Sequence, residues 1–126
     1  MSKKIVLAID DNEMQLDIFK STLSDKYDVR IVKSASNAIH YLNVDKADVI
    51  LLDIEMPNIS GLQFLHDIRT VISYMDVPII IVSVHTEREF LEEAKKSGAF
   101  DVLAKPVKAD ALIQTIEAAL AAETMV

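Results

Sequence analysis

The sequence predicts an α/β domain: a doubly wound, five-stranded parallel sheet with helices on both faces. Three observations lead there. Apolar runs at Ile5–Ile9, 49–52 and 79–82 are unbroken and rich in β-branched residues, as strands buried on both faces require. Apolar residues three and four apart fill the intervals between them, which is the helical period. Two weaker runs, 29–32 and 102–104, carry or adjoin polar residues and suit the edges of a sheet.

Taken in order, the first strand Ile5-Val6-Leu7-Ala8-Ile9 stops at Asp10 and Asp11, and a first helix follows on Met14, Ile18, Phe19 and Leu23. After Val29-Arg30-Ile31-Val32, a second helix carries Ala35, Ala38, Ile39 and Leu42. Val49-Ile50-Leu51-Leu52 precedes a third helix on Leu62, Leu65, Ile68 and Ile72. Beyond Ile79-Ile80-Ile81-Val82, Thr86 with Glu89 three residues later has the form of a capping box for a helix on Phe90, Leu91 and Ala94. Gly98 suits that helix's end. Val102-Leu103-Ala104 and a last helix on Leu112, Ile116, Ala119 and Leu120 complete the chain. Strand-helix alternation implies right-handed crossovers. Three strong strands between two weak ones give the flavodoxin-like order 2-1-3-4-5.

Composition narrows the function. The chain has 126 residues, 51% of them hydrophobic, enough for one domain with its own core. With no cysteine, disulfides and thiolate metal sites are excluded. A net charge of −7 disfavours nucleic acid and anionic membranes as partners. The opening apolar run is too short for a signal peptide or a membrane span, so a soluble, cytoplasmic chain is expected.

Ligands of such sheets bind beyond the carboxyl ends of the strands, at the switch point of strand order. Strand one ends in Asp10-Asp11, strand three in Asp53, strand four in Ser83 and strand five in Lys105-Pro106. Strand two ends in Lys33-Ser34, away from the switch point. Each residue alone has an ordinary explanation as a turn former or cap. Turn propensity does not account for four strand ends bearing this chemistry together. Three close carboxylates need a cation among them, and all-oxygen ligation favours Mg²⁺. A carboxylate beside that metal can attack phosphorus and form an aspartyl phosphate, with the ammonium and hydroxyl sharing the developing charge.

These residues resemble the receiver domain of bacterial two-component response regulators. The resemblance rests on Ile9-Asp10-Asp11-Asn12, on Leu51-Leu52-Asp53-Ile54-Glu55-Met56-Pro57 followed by Gly61, on Ser83, and on Gly98-Ala99 followed by Lys105-Pro106. It runs from Ile5 to about Leu120 and implies a single receiver domain over 1–126, similar to stand-alone chemotaxis regulators. It implies Asp53 as the phosphoacceptor, and Asp11, Asp53 and the backbone carbonyl of Glu55 as Mg²⁺ ligands, with Asp10 acting through a metal-bound water. Lys105 and Ser83 would engage the phosphoryl group, and the Lys105-Pro106 peptide would be cis. The donor would be a phosphohistidine on a sensor histidine kinase or a histidine phosphotransfer protein. Output would pass through contacts with a protein target, the chain itself not being an enzyme.

Three positions depart from the family pattern. Val102 stands where many receivers carry a switch aromatic, Val84 where a small residue follows the hydroxyl, and Val107 where Phe often follows the Pro. Phe100, on the same side of an ideal strand as Val102, reads as core packing. His85 reads as an exposed loop residue, or as a neighbour of the phosphoryl group; Glu55 reads as a solvated loop carboxylate, or as a modulator of phosphoryl lifetime. A phosphatase of the haloacid dehalogenase type also uses a strand-end Asp and Mg²⁺, but its Asp-x-Asp spacing fails at Asp10-Asp11-Asn12. A flavodoxin-like cofactor carrier lacks its phosphate cradle in a chain with two glycines.

Overall fold

The structure, a computed structural model, describes residues 3–55, 61–71 and 77–124. Strands β1 (Ile5–Ile9), β2 (Asp28–Val32), β3 (Val49–Asp53), β4 (Ile79–Ser83) and β5 (Asp101–Ala104) alternate with five helices. These are α1 (Glu13–Leu23), α2 (Ala35–Val44), α3 (Gly61–Val71), α4 (Arg88–Lys96) and α5 (Ala109–Thr124). The strands pair in parallel in the order β2-β1-β3-β4-β5, as the run strengths predict. Every residue of β1, β3 and β4 is buried, whereas the edge strands β2 and β5 are mostly half-exposed.

Side chains alternate across each strand, so the sheet builds two cores. Leu7, Ile9, Ile50, Leu52, Ile79 and Ile81 face α2, α3 and α4, meeting Leu42, Phe64, Leu65, Ile68 and Ala94. Val6, Ala8, Val49, Leu51, Ile80 and Val82 face α1 and α5, meeting Leu16, Phe19, Leu23, Leu112 and Ile116. Each large side chain buried this way contributes about 1.5–3 kcal/mol. Helix starts are set by local chemistry. Asn12 caps α1 by accepting from the Gln15 amide, and Ser34 caps α2 by accepting from the Asn37 amide, each at 3.1 Å.

Three readings are corrected. In α1 the inward stripe is Leu16, Phe19 and Leu23, while Met14 and Ile18 are 72% and 49% exposed. Each of these two lies two residues from Leu16, about 200° around the helix, and so points away from the sheet. The capping box does not form: Glu87 is the N-cap of α4 and makes no side-chain cap bond. Phe100 and Val102 do not share a face. Phe100 lies just before β5, its amide donating to the Ile79 carbonyl at 2.7 Å, and packs on the α1/α5 core, while Val102 packs on the α2/α3/α4 core. Phe100 is nonetheless a packing residue, as expected. Met56 and Pro57 of the motif, and Ile72 of the third stripe, lie outside the described residues. Among the described residues no helix is long and apolar enough to cross a membrane.

Candidate functional site

The carboxyl edge of the sheet gathers the predicted residues. Asp10 follows β1 and is buried; the β1 edge is held there by the Asp10 amide, which donates to the Val32 carbonyl at 3.2 Å. Asp53 ends β3 and is 3% exposed. Ser83 ends β4, fully buried, and its carbonyl accepts from the Lys105 amide at 2.9 Å. That bond carries the β4–β5 pairing one residue past Ala104 and so places the lysine. The Lys105-Pro106 peptide is cis.

Lys105 Nζ donates to Asp53 Oδ1 at 2.8 Å, and the Glu55 amide donates to the same oxygen at 3.1 Å. One oxygen each of Asp10, Asp11 and Asp53 lie within 4.8 Å of one another, the first and last buried and Asp11 exposed at the rim. Asp10 Oδ1 accepts from the Asn12 amide at 3.0 Å, while Asp10 Oδ2 is buried with no donor among the described residues. A buried carboxylate oxygen without a donor, beside two further carboxylates, fits a divalent cation held by oxygen ligands.

The electrostatics agree. Burial is the largest influence on Asp10 and pushes its carboxyl up to about 7, with the neighbouring Asp53 adding to the rise and the Asn12 amide and Lys105 opposing it. On Asp53 burial also pushes upward, but the Lys105 ammonium and the Glu55 amide outweigh it and hold this carboxyl below its usual range. Burial pulls Lys105 down, and its bond to Asp53 more than compensates, leaving the ammonium firmly charged. Asp53 is thus an ionised, buried carboxylate at neutral pH, with a fixed cation beside it.

The side chain of Glu55 was not legible as a member of this group. It crosses to β4, where Oε1 accepts from the Ser83 hydroxyl at 3.1 Å and from the Val84 amide at 2.6 Å. The β3–β4 register pairs Asp53 with Val82, so the same offset carried past the strand ends sets Glu55 opposite Val84. That offset is the signal that could have found it. His85 is 53% exposed, 3.7 Å from Glu87 and stacked at a tilt on Phe90, as the loop reading expects. Val84 is 59% exposed at the rim.

The chain resembles known proteins over most of its length. The model of the response regulator receiver domain matches residues 6–117. The transcriptional regulatory protein KdpE of Staphylococcus aureus is 33% identical over 89% of this chain and 47% of its own length. The luminescence regulatory protein LuxO of Vibrio campbellii is 34% identical over 89% of this chain and 24% of its own. The chain therefore spans less than half the length of these relatives. The chemotaxis protein CheY4 of Vibrio cholerae superposes with a TM-score of 0.88 at 29% identity, covering 94% of this chain and all of that one.

Proposed function

The chain belongs to the response regulator receiver domain family, and from that premise we propose that it accepts a phosphoryl group on Asp53 and switches protein contacts. The observation that carries this reading is the 2.8 Å bond from Lys105 to the buried carboxylate of Asp53 at the end of the central strand. An ionised carboxylate is the nucleophile such a transfer needs, and a fixed ammonium beside it can receive the phosphoryl oxygens.

In the proposed reaction an Asp53 oxygen attacks the phosphorus of a phosphohistidine. The P–O bond forms as the P–N bond breaks, and the imidazole nitrogen keeps the electron pair. Lys105 moves from the carboxylate to a phosphoryl oxygen, and the Ser83 hydroxyl supplies a second contact. Asp11, Asp53 and the Glu55 carbonyl would hold Mg²⁺, with Asp10 acting through one of its waters. A cation held by these residues would lower the charge repulsion between the acceptor carboxylate and an incoming phosphoryl group. The donor is a sensor histidine kinase or a histidine phosphotransfer protein, and the output is a protein target, in the cytoplasm, without nucleic acid or membrane contact. The chain undergoes one transfer per cycle and is not a turnover enzyme.

Incubation with a small phosphodonor and Mg²⁺, then borohydride trapping and peptide mapping, tests this. One label on Asp53 is expected. A label on Asp10 or Asp11, or full labelling of Asp53→Asn, overturns the assignment.

A further inference from the structure

The reaction above gives the carboxylate of Glu55 no task, although its surroundings are those of an anion site. The side chain is 27% exposed and lies against the end of β4. One oxygen holds the Ser83 hydroxyl and the Val84 amide at 3.1 and 2.6 Å. The other is buried without a hydrogen-bond donor among the described residues, and Lys105 Nζ stands 3.9 Å from it. Ser83 Oγ also accepts from the His85 amide at 2.9 Å, so its own proton is committed to Glu55. A hydroxyl, an amide and an ammonium at the carboxyl edge of the sheet thus already face an anion, and that anion belongs to the chain.

We propose that Glu55 is the resting partner of the Ser83 hydroxyl that a phosphoryl on Asp53 recruits: it latches Ser83 and Val84 in the unphosphorylated chain and must release them for the switch to occur. The latch rests on the contacts alone, and the competition rests on the phosphoacceptor reading. Bonds from a hydroxyl and an amide to a carboxylate are charge-assisted, so the latch holds the start of the loop after β4. A phosphoryl offers the same donors more charge, and it repels the carboxylate that holds them. Glu55 therefore opposes activation until the phosphoryl arrives, then leaves as it is displaced. Its second oxygen has no hydrogen-bond donor among the described residues, only the Lys105 ammonium at 3.9 Å, and gains water on release.

The test uses the full chain and its variants Glu55→Ala and Glu55→Gln. Without any donor, amide hydrogen exchange at Val84 should accelerate about tenfold in Glu55→Ala, and Glu55→Gln, which keeps an acceptor oxygen, should recover most of the protection. With Mg²⁺, beryllofluoride should bind about tenfold more tightly to Glu55→Ala than to the parent, with Glu55→Gln between them. Unchanged exchange at Val84 in Glu55→Ala overturns the latch. Equal beryllofluoride affinity in the parent and Glu55→Ala overturns the competition, as does equal affinity in the two variants, since charge alone then accounts for the gain. If beryllofluoride binds none of the three while exchange follows the expected order, the latch stands and the phosphoacceptor reading fails.

Discussion

Arg69, in the last turn of α3, donates to the carbonyl of Gly98 at 2.7 Å, tying that helix to the turn that follows α4. Gly98 has φ +108°, a region that side chains strain to enter, and a Cβ there would stand 3.1 Å from Arg69 Nε and 3.4 Å from its Cγ. Gly98→Ala should therefore destabilise the domain by about 1–2 kcal/mol, from backbone strain and displacement of the arginine together. Urea unfolding measures it. A midpoint unchanged from the parent would contradict the strain argument.

Asp10 gives a pH dependence with an unusual sign for a carboxylate. Its folded value is about 7 against an ordinary 3.8. Between those limits the folded state keeps a proton that the unfolded chain has lost, so this group's contribution falls as pH rises from 4 to 7. Above pH 7 the destabilisation is complete. Asp10→Asn keeps the oxygen that accepts from Asn12 and removes the charge. It should stabilise the metal-free protein by roughly 4 kcal/mol at pH 7.5, at about 1.4 kcal/mol per pH unit, with the gain vanishing near pH 4. Thermal unfolding in chelator decides this; a variant no more stable than the parent at pH 7.5 would count against a buried, strained carboxylate.

Mg²⁺ should bind weakly alone and more tightly with beryllofluoride, which adds an anionic ligand. Asp11→Ala should abolish that coupling in calorimetry. Lys105→Ala should leave metal binding largely intact while losing the phosphate-dependent shifts of the amide spectrum. Unchanged Mg²⁺ affinity in Asp11→Ala would remove the exposed aspartate from the proposed coordination.

The conformational response should centre on residues 83–87 and the start of α4. Val102 is half-buried on the α2/α3/α4 core and has one stiff torsion, so it offers no swinging ring. Phe100 packs on the opposite face and is no substitute. Methyl NMR of free and beryllofluoride-bound forms should show large shifts in the loop and a quiet Val102. A new Val102 rotamer beside an unmoved α4 would reverse the conclusion.

The strands were legible because continuous apolar runs such as Ile79-Ile80-Ile81-Val82 have few other uses, and the strand ends then brought Asp10, Asp53, Ser83 and Lys105 to one edge. What escaped depended on facing rather than identity. Met14 and Ile18 are as apolar as the Leu16 that packs, and only the helix's rotation against β1 separates them. Phe100 lies one residue outside β5, where the alternation of strand faces does not carry over to it. Glu55 is two residues from the best motif in the chain, yet its carboxylate's partners lie on another strand and follow from register.

The two cores described above share no side chain, since each strand residue commits to one face. In thermodynamic terms the sheet is a partition wall between two half-molecules. Ile68→Val on one side and Ile116→Val on the other should each cost about 0.5–1.5 kcal/mol, and the double variant should lose their sum within about 0.5 kcal/mol. A pair on one side, such as Ile68→Val with Leu42→Ala, should depart from additivity by more. On this division, a disturbance passed from Ser83 to α4 repacks one half only. The α1/α5 half, keeping its contacts, is the fixed abutment against which that motion is exerted.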